Sequence, residues 1–177
     1  VSSFDVKSLD KTGVISPSGS HDGSLMTVEV MGIDVTISSA LSITGGNLKI
    51  ASFTSGASTW TAALGDSFTL SLTAGPLSAS GTNLGFNYNA GASATDSITD
   101  WTFAGITGLT TLAAGLIEVS GSNVTVALGS LFNTSVSSFD VKSLDKTGVI
   151  SSSGSHDGSL LTVELSGIDV TISSALS

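Results

Sequence analysis

The sequence predicts an all-β protein: an antiparallel β-sandwich built from tandem modules of about 45 residues, with a β-solenoid as the alternative. Three observations carry this expectation. Apolar and polar residues alternate in short runs, as in Met26-Thr-Val28-Glu-Val30 and Ile33-Asp-Val35-Thr-Ile37, the period of a half-buried strand. Turn-forming dipeptides separate such runs. The chain also repeats itself: residues 136–177 copy residues 1–42 at an offset of 135, differing only at Pro17/Ser152, Met26/Leu161, Val30/Leu165 and Met31/Ser166.

The repeat sets the domain organisation. Residues 1–135 read as one complete unit and residues 136–177 as the start of the next. A fainter period lies inside the unit. Apolar residues at i, i+2 and i+5 recur from Phe4, Leu48, Trp101 and Phe139, and a nine-residue motif recurs from Glu29, Ser78, Glu118 and Glu164. These divide the unit into three divergent β modules, approximately 1–43, 44–95 and 96–135. A module this short cannot bury a core alone. The modules must therefore share sheets, and residues 136–177 must complete sheets begun earlier rather than fold independently.

Along the chain, Met31-Gly32 is read as a two-residue hairpin loop. It would pair Val30 with Ile33, Val28 with Val35 and Met26 with Ile37 on one face. Further hairpin turns are expected at Asp22-Gly23, Asp157-Gly158 and Gly45-Gly46. Phe68, Leu70 and Leu72 form one alternating run, and Leu84, Phe86 and Tyr88 another. Trp101 and Phe103 are placed on a strand, with Trp101 in the core. Leu109, Leu112, Ala113, Leu116 and Ile117 have helical spacing, interrupted by Gly115, and are the one helical candidate.

Composition narrows the function. Only 11% of the residues are charged, while 35 Ser and 21 Thr supply much of the polarity. Five Lys, no Arg and 14 acidic residues give a net charge of −9. Such a chain lacks the basic side chains that nucleic-acid binding requires, and it is repelled by anionic membrane surfaces. The longest apolar stretch, Leu109 to Ile117, is too short to span a bilayer, so no membrane insertion is expected. The chain has no Cys, which fits a secreted bacterial protein that avoids thiols.

Few groups suggest chemistry. Ser20-His21-Asp22 and its copy Ser155-His156-Asp157 resemble catalytic residues in type. Neighbours on one turn cannot form a line of nucleophile, base and orienter, however, so they are read as turn residues. In the hairpin register above, Glu29 faces Asp34 and Glu164 faces Asp169. Opposed like charges are destabilising. A cation site for Ca²⁺ would explain these four carboxylates; the alternative is a solvated acidic face. Asp66, Asp96 and Asp100 are further oxygen donors. Trp60, Trp101, Tyr88 and the seven Phe are the candidates for a sugar-binding face. No catalytic residues are assigned.

Long arrays of acidic, Cys-free, Ser/Thr/Gly-rich β units of this kind resemble the extender regions of giant bacterial cell-surface adhesins and related secreted surface proteins. The resemblance implies β-sandwich repeats, often stiffened by Ca²⁺ at linkers, that project a ligand-binding tip. The expected function is thus non-enzymatic: a spacer, stalk or matrix element of an extracellular array. Its partners would be neighbouring copies of the repeat. Two alternatives stand beside it, a self-assembling filament or surface-layer subunit that pairs through terminal strands, and a module that binds surface glycans.

Overall fold

The structure is a computed structural model that describes residues 1–37, 40–93, 96–110 and 112–172. Among the described residues there are nine strands: β1 (Ser3–Ser16), β2 (Gly19–Ile37), β3 (Leu41–Ser55), β4 (Ser58–Ala74), β5 (Leu77–Ala90), β6 (Ile117–Leu128), β7 (Phe132–Ser151), β8 (Gly154–Ser166) and β9 (Asp169–Ile172). They form one antiparallel sheet in which β1 to β8 lie side by side in chain order, and β9 follows β8 along the same edge of β7. The all-β, antiparallel expectation therefore holds. The alternating runs at Phe68–Leu72 and Leu84–Tyr88 fall on β4 and β5 as read.

The hairpin expected at Met31-Gly32 does not form. Residues 19–37 are one strand, in which the register against β3 shifts between Val30 and Ile33 and again before Val35. Gly32 has φ +60° and sits in a β-bulge, not a chain reversal. The reason is local: a bulge and a tight hairpin turn both ask for a residue in the left-handed region, so Gly signals either. The same holds for Gly45-Gly46, inside β3, where Gly45 has φ +75°. Ser67, Asn83 and Asn123 take positive φ in β4, β5 and β6, so a row of left-handed residues crosses the sheet. Asp22-Gly23 lies within β2 and Asp157-Gly158 within β8; the reversals are at 17–18 and 152–153.

A second layer covers one face of the sheet over part of its width. It is formed by the described residues of the segment 91–116, which are irregular and not a second sheet. Its described residues contain a single 3₁₀ turn, Thr102–Ala104. Trp101 enters that turn instead of a strand, and the helix expected at 109–117 is absent from the described residues there. The helical spacing was a burial signal without the helix: Leu109, Leu112 and Leu116 all point into the core. They meet Leu25 of β2, Ala51 and Phe53 of β3, and Trp60 and Ala62 of β4, together with Trp101 and Ile106 of the segment. The aromatic rings pack edge to face and stacked, with Phe53 and Phe103 centroids 5.9 Å apart and Trp101 and Phe103 5.4 Å apart.

Polar anchors hold this layer down. Buried Asn89 of β5 donates from Nδ2 to the carbonyls of Ile98, Leu112 and Ala113 at 2.9, 3.0 and 3.1 Å. Lys49 of β3 donates to the Thr107 carbonyl at 3.0 Å. An irregular segment has carbonyls that no ladder satisfies, and burying them unpaired would cost about 1–3 kcal/mol each.

No described residue covers the opposite face. Strand alternation and register place Phe4, Val6, Met26, Val28, Val30, Leu48, Ile50, Phe86, Val119, Val141 and Val163 on it, without an intervening charge. Rings lie flat over glycines on neighbouring strands: Phe68 over Gly46, Phe86 over Gly65 and Phe139 over Gly121. A glycine leaves a gap in a sheet face that a cross-strand ring fills.

Candidate functional site

Two features stand out when the residues are placed: a polar dock between the segment 91–116 and the β1–β2 turn, and the two open edges of the sheet.

In the dock, Ser16 Oγ donates to Asp96 Oδ1 at 2.6 Å, and Ser18 donates from its hydroxyl to Asp96 Oδ2 at 2.8 Å and from its backbone N–H to Oδ1 at 3.1 Å. His21 Nε2 lies 3.0 Å from Ser16 Oγ and 3.1 Å from Ser18 Oγ. The His21 ring rests against Trp60 at a centroid distance of 4.7 Å, and Trp60 Nε1 donates to the Asp96 carbonyl at 2.6 Å. Burial works against ionisation of Asp96, but the hydrogen bonds from Ser16 and Ser18 and the neighbouring His21 outweigh it and hold the carboxyl below its usual range. The cluster has the residue types of a hydrolase site but not its order. A nucleophilic serine needs a base whose far nitrogen is held by the acid; here the acid takes the serine hydroxyl itself. The arrangement fastens the segment to the sheet.

The repeat allows the edges to be read by comparison, because the same residues occur in two surroundings. β7 copies β1, and every residue from Val1 to Ser16 recurs at 136–151. β6 lies against β7, while the outer edge of β1 has no strand among the described residues. Phe139 therefore covers Gly121, whereas Phe4 is 68% exposed. Leu144 packs against the core, whereas Leu9 is 47% exposed. Lys142 reaches Glu118 of β6 at 2.6 Å and Asp140 at 3.6 Å, whereas Lys7 pairs with Asp5 on its own strand at 2.5 Å. Glu118 also accepts from Asn87 Nδ2 at 2.6 Å. Partial burial opposes its ionisation, but the bonds from Lys142 and Asn87 win, so its carboxyl lies below the ordinary range. The bond to Glu118 raises Lys142 above the ordinary lysine range.

The other edge is the converse case. β8 copies β2, which β3 and the segment cover. Leu25 is fully buried and its copy Leu160 is 47% exposed; Val14 is 4% exposed and its copy Val149 is 52% exposed. Each edge thus displays side chains whose copies, one repeat away, are covered.

The four carboxylates proposed for a cation do not meet as expected. Glu29 and Asp34 lie on the same strand, so they cannot oppose each other; Glu29 faces Asp5 and Lys49 instead. Asp34 accepts from the Gly45 N–H at 3.1 Å across the bulge. Glu164 faces Asp140, and Asp169 faces Ser135. Asp66 accepts from Asn47 Nδ2 at 2.9 Å, and Asp100 accepts from the Thr102 hydroxyl at 2.7 Å. No cluster of three or more His, Asp or Glu with the spacing of a metal site occurs among the described residues. Trp60 and Trp101 are fully buried and face no solvent; Tyr88 is half-buried on the uncovered side.

Sequence reasoning missed Ser16, Ser18, Lys142 and Asn89. Ser16 and Asp96 are 80 residues apart, and nothing local in either marks the other. The identity of Lys7 and Lys142 was visible, but not that only one would have Glu118 beside it. Comparison with known proteins yields no matching family model, curated protein or solved structure.

Proposed function

We propose that the protein is a non-enzymatic structural repeat of an extracellular bacterial surface or adhesin array, in which successive units extend one β-sheet. The observation that carries this reading is the position of the second copy. The β7–β8 hairpin, a copy of β1–β2, continues the sheet from β6 as the first two strands of a following unit. The exposed side chains of the β1 and β8 edges are those that a preceding and a following unit would cover. A unit then contributes six strands. At about 4.8 Å per strand, each further 135 residues lengthens the ribbon by about 29 Å.

Chains with one, two and three added units test this by small-angle scattering. The expected result is a constant increment of about 29 Å per unit. Increments the size of a separate globular domain, or none, would sink the reading. Two such ribbons laid apolar face to apolar face would form the two-sheet sandwich expected from the strand pattern. The reading as a self-assembling subunit draws on the same open edges. It would appear as an open-ended ladder of oligomers of the single chain, because edge pairing of this kind is head-to-tail and does not close.

A further inference from the structure

We infer that the uncovered apolar face is a docking surface for the same face of a second copy, so that two chains pack sheet on sheet as a closed dimer. The inference does not rest on the array reading: it concerns the face, not the edges, and a single chain carries the whole of it.

The argument begins with the charges. Asp5, Lys7, Glu29, Lys49, Glu118 and Lys142 share the face that bears the segment 91–116, as the pairings Asp5–Glu29–Lys49 and Glu118–Lys142 place them. The other face has none from the Val28 row onward, where Val28, Ile50, Tyr88 and Ile117 are followed by Val30, Leu48, Phe86 and Val119. Beyond the bulges follow the row of Val35, Ile43 and Leu70 and the row of Ile37, Leu41, Leu72, Ala79 and Val126.

The size of the patch decides that it must be covered. Eight strands and some ten residue rows give a face on the order of 1000 Å² at the usual strand spacing and rise. Soluble monomers rarely expose contiguous apolar patches beyond a few hundred Å², and a stable interface needs about 800 Å² from each partner. The face is also open and shallow: the rings of Phe68, Phe86 and Phe139 lie down over Gly46, Gly65 and Gly121, and Ile43, Leu70, Leu84 and Val119 line an open apolar depression beside them. That suits packing against another sheet, at about 10 Å, better than enclosing a small ligand.

Two features select the occupant. The edges of β1 and β8 carry backbone N–H and C=O groups unpaired within the described sheet, and an open sheet edge is not tolerated in hydrocarbon. That argues against a lipid surface. A protein partner must offer an equally broad, flat, charge-free apolar face, and the chain's own face is one. Self-packing also repeats wherever the unit repeats, since Phe139, Val141, Val163 and Leu165 carry the face on into the second copy.

The test is sedimentation velocity of the full chain, with Val119→Glu on the uncovered face and Thr162→Glu on the opposite one. Both positions are exposed, so a carboxylate at either is solvated in the monomer and the fold, followed by circular dichroism, is retained. The wild-type chain and Thr162→Glu are expected at twice the 17.5 kDa chain mass. Val119→Glu is expected to weaken the dimer at least tenfold. A wild-type monomer at high micromolar concentration overturns the inference. So does a dimer insensitive to Val119→Glu, and so does flotation of the wild-type chain with neutral phosphatidylcholine vesicles. An open ladder of oligomers in place of a dimer would assign association to the edges and also overturn it.

Discussion

The ring of Phe139 on β7 lies over Gly121 on β6, where a Cβ would sit 2.6 Å from the ring carbon Cε1. The same phenylalanine one repeat earlier, Phe4, pairs with β2 but has no described strand on its outer side, and is mostly exposed. One residue type thus reports whether a neighbour is present.

Gly121→Ala should destabilise the fold, because the new methyl meets both Phe139 and Leu84. Overpacking of this kind costs about 1–3 kcal/mol, measurable as a lowered urea midpoint. Phe4→Ala in the same chain should leave the midpoint almost unchanged. Equal losses from the two would mean that the ring on Gly121 does not matter.

Leu25→Ala and Leu160→Ala make the same comparison at the other edge. Leu25 is buried under the segment, and its truncation should cost about 2–5 kcal/mol. Leu160, its exposed copy, should cost little. In a chain extended by another unit, Leu160→Ala should become as damaging as Leu25→Ala. If it stays harmless there, the following unit does not cover β8.

Lys142→Met removes the partner of Glu118, with a cost of about 1 kcal/mol or less because both side chains keep some solvent access. The loss should shrink in high salt. Lys7→Met should leave thermal unfolding almost unchanged, since its ion pair is with Asp5 on its own exposed strand. A salt-independent loss at Lys142 would point to the packing of its methylenes instead.

Asp96 ties acid stability to the dock. Its carboxyl is held below the usual range in the folded chain, so the folded state favours the ionised form. That stabilisation is complete above the unfolded carboxyl value near 4 and is lost as the pH falls through the lower folded value. Asp96→Asn should therefore lower stability at neutral pH, by about 1–2 kcal/mol for the weakened hydrogen bonds, and flatten the acid limb of the stability curve. Fluorescence of Trp60, whose Nε1 donates to the Asp96 carbonyl, would follow the loosening. An unchanged acid limb would remove Asp96 from the dock.

Thermal unfolding in millimolar CaCl₂ should match that in EDTA, because Glu29 and Asp34 lie along one strand and Asp34 already accepts from Gly45. An upward shift would restore a cation site through linkage, and substituting Glu29, Asp34, Glu164 and Asp169 in turn would locate it.

Much of the fold was legible in the sequence, and the misreadings fell where one local signal serves two structures. Alternation at Val28–Val30 and Phe68–Leu72 marked strands because side chains in a strand change face at every residue. Gly32 and Gly45 were misread because a bulge and a turn make the same local demand. Whether the chain reverses depends on which strand lies alongside, and β3 runs past Gly32 without a break. Leu109, Leu112 and Leu116 were recognised as an apolar cluster but assigned to a helix; an irregular segment buried the same side chains once Asn89 and Lys49 met its carbonyls.

The sequence by itself determined the strand class, the 135-residue repeat, and the acidic and charge-poor character of the chain. All of these follow from local periodicity, composition or self-comparison. Only the tertiary structure decided that the strands form one sheet, that Ser16 meets Asp96, and that Lys142 has a partner where Lys7 has only its own strand. Those are contacts between residues far apart in the chain, and they depend on which strands become neighbours. Two identical stretches, residues 1–16 and 136–151, end in different surroundings: what a strand buries is set by the strand beside it as much as by its own residues.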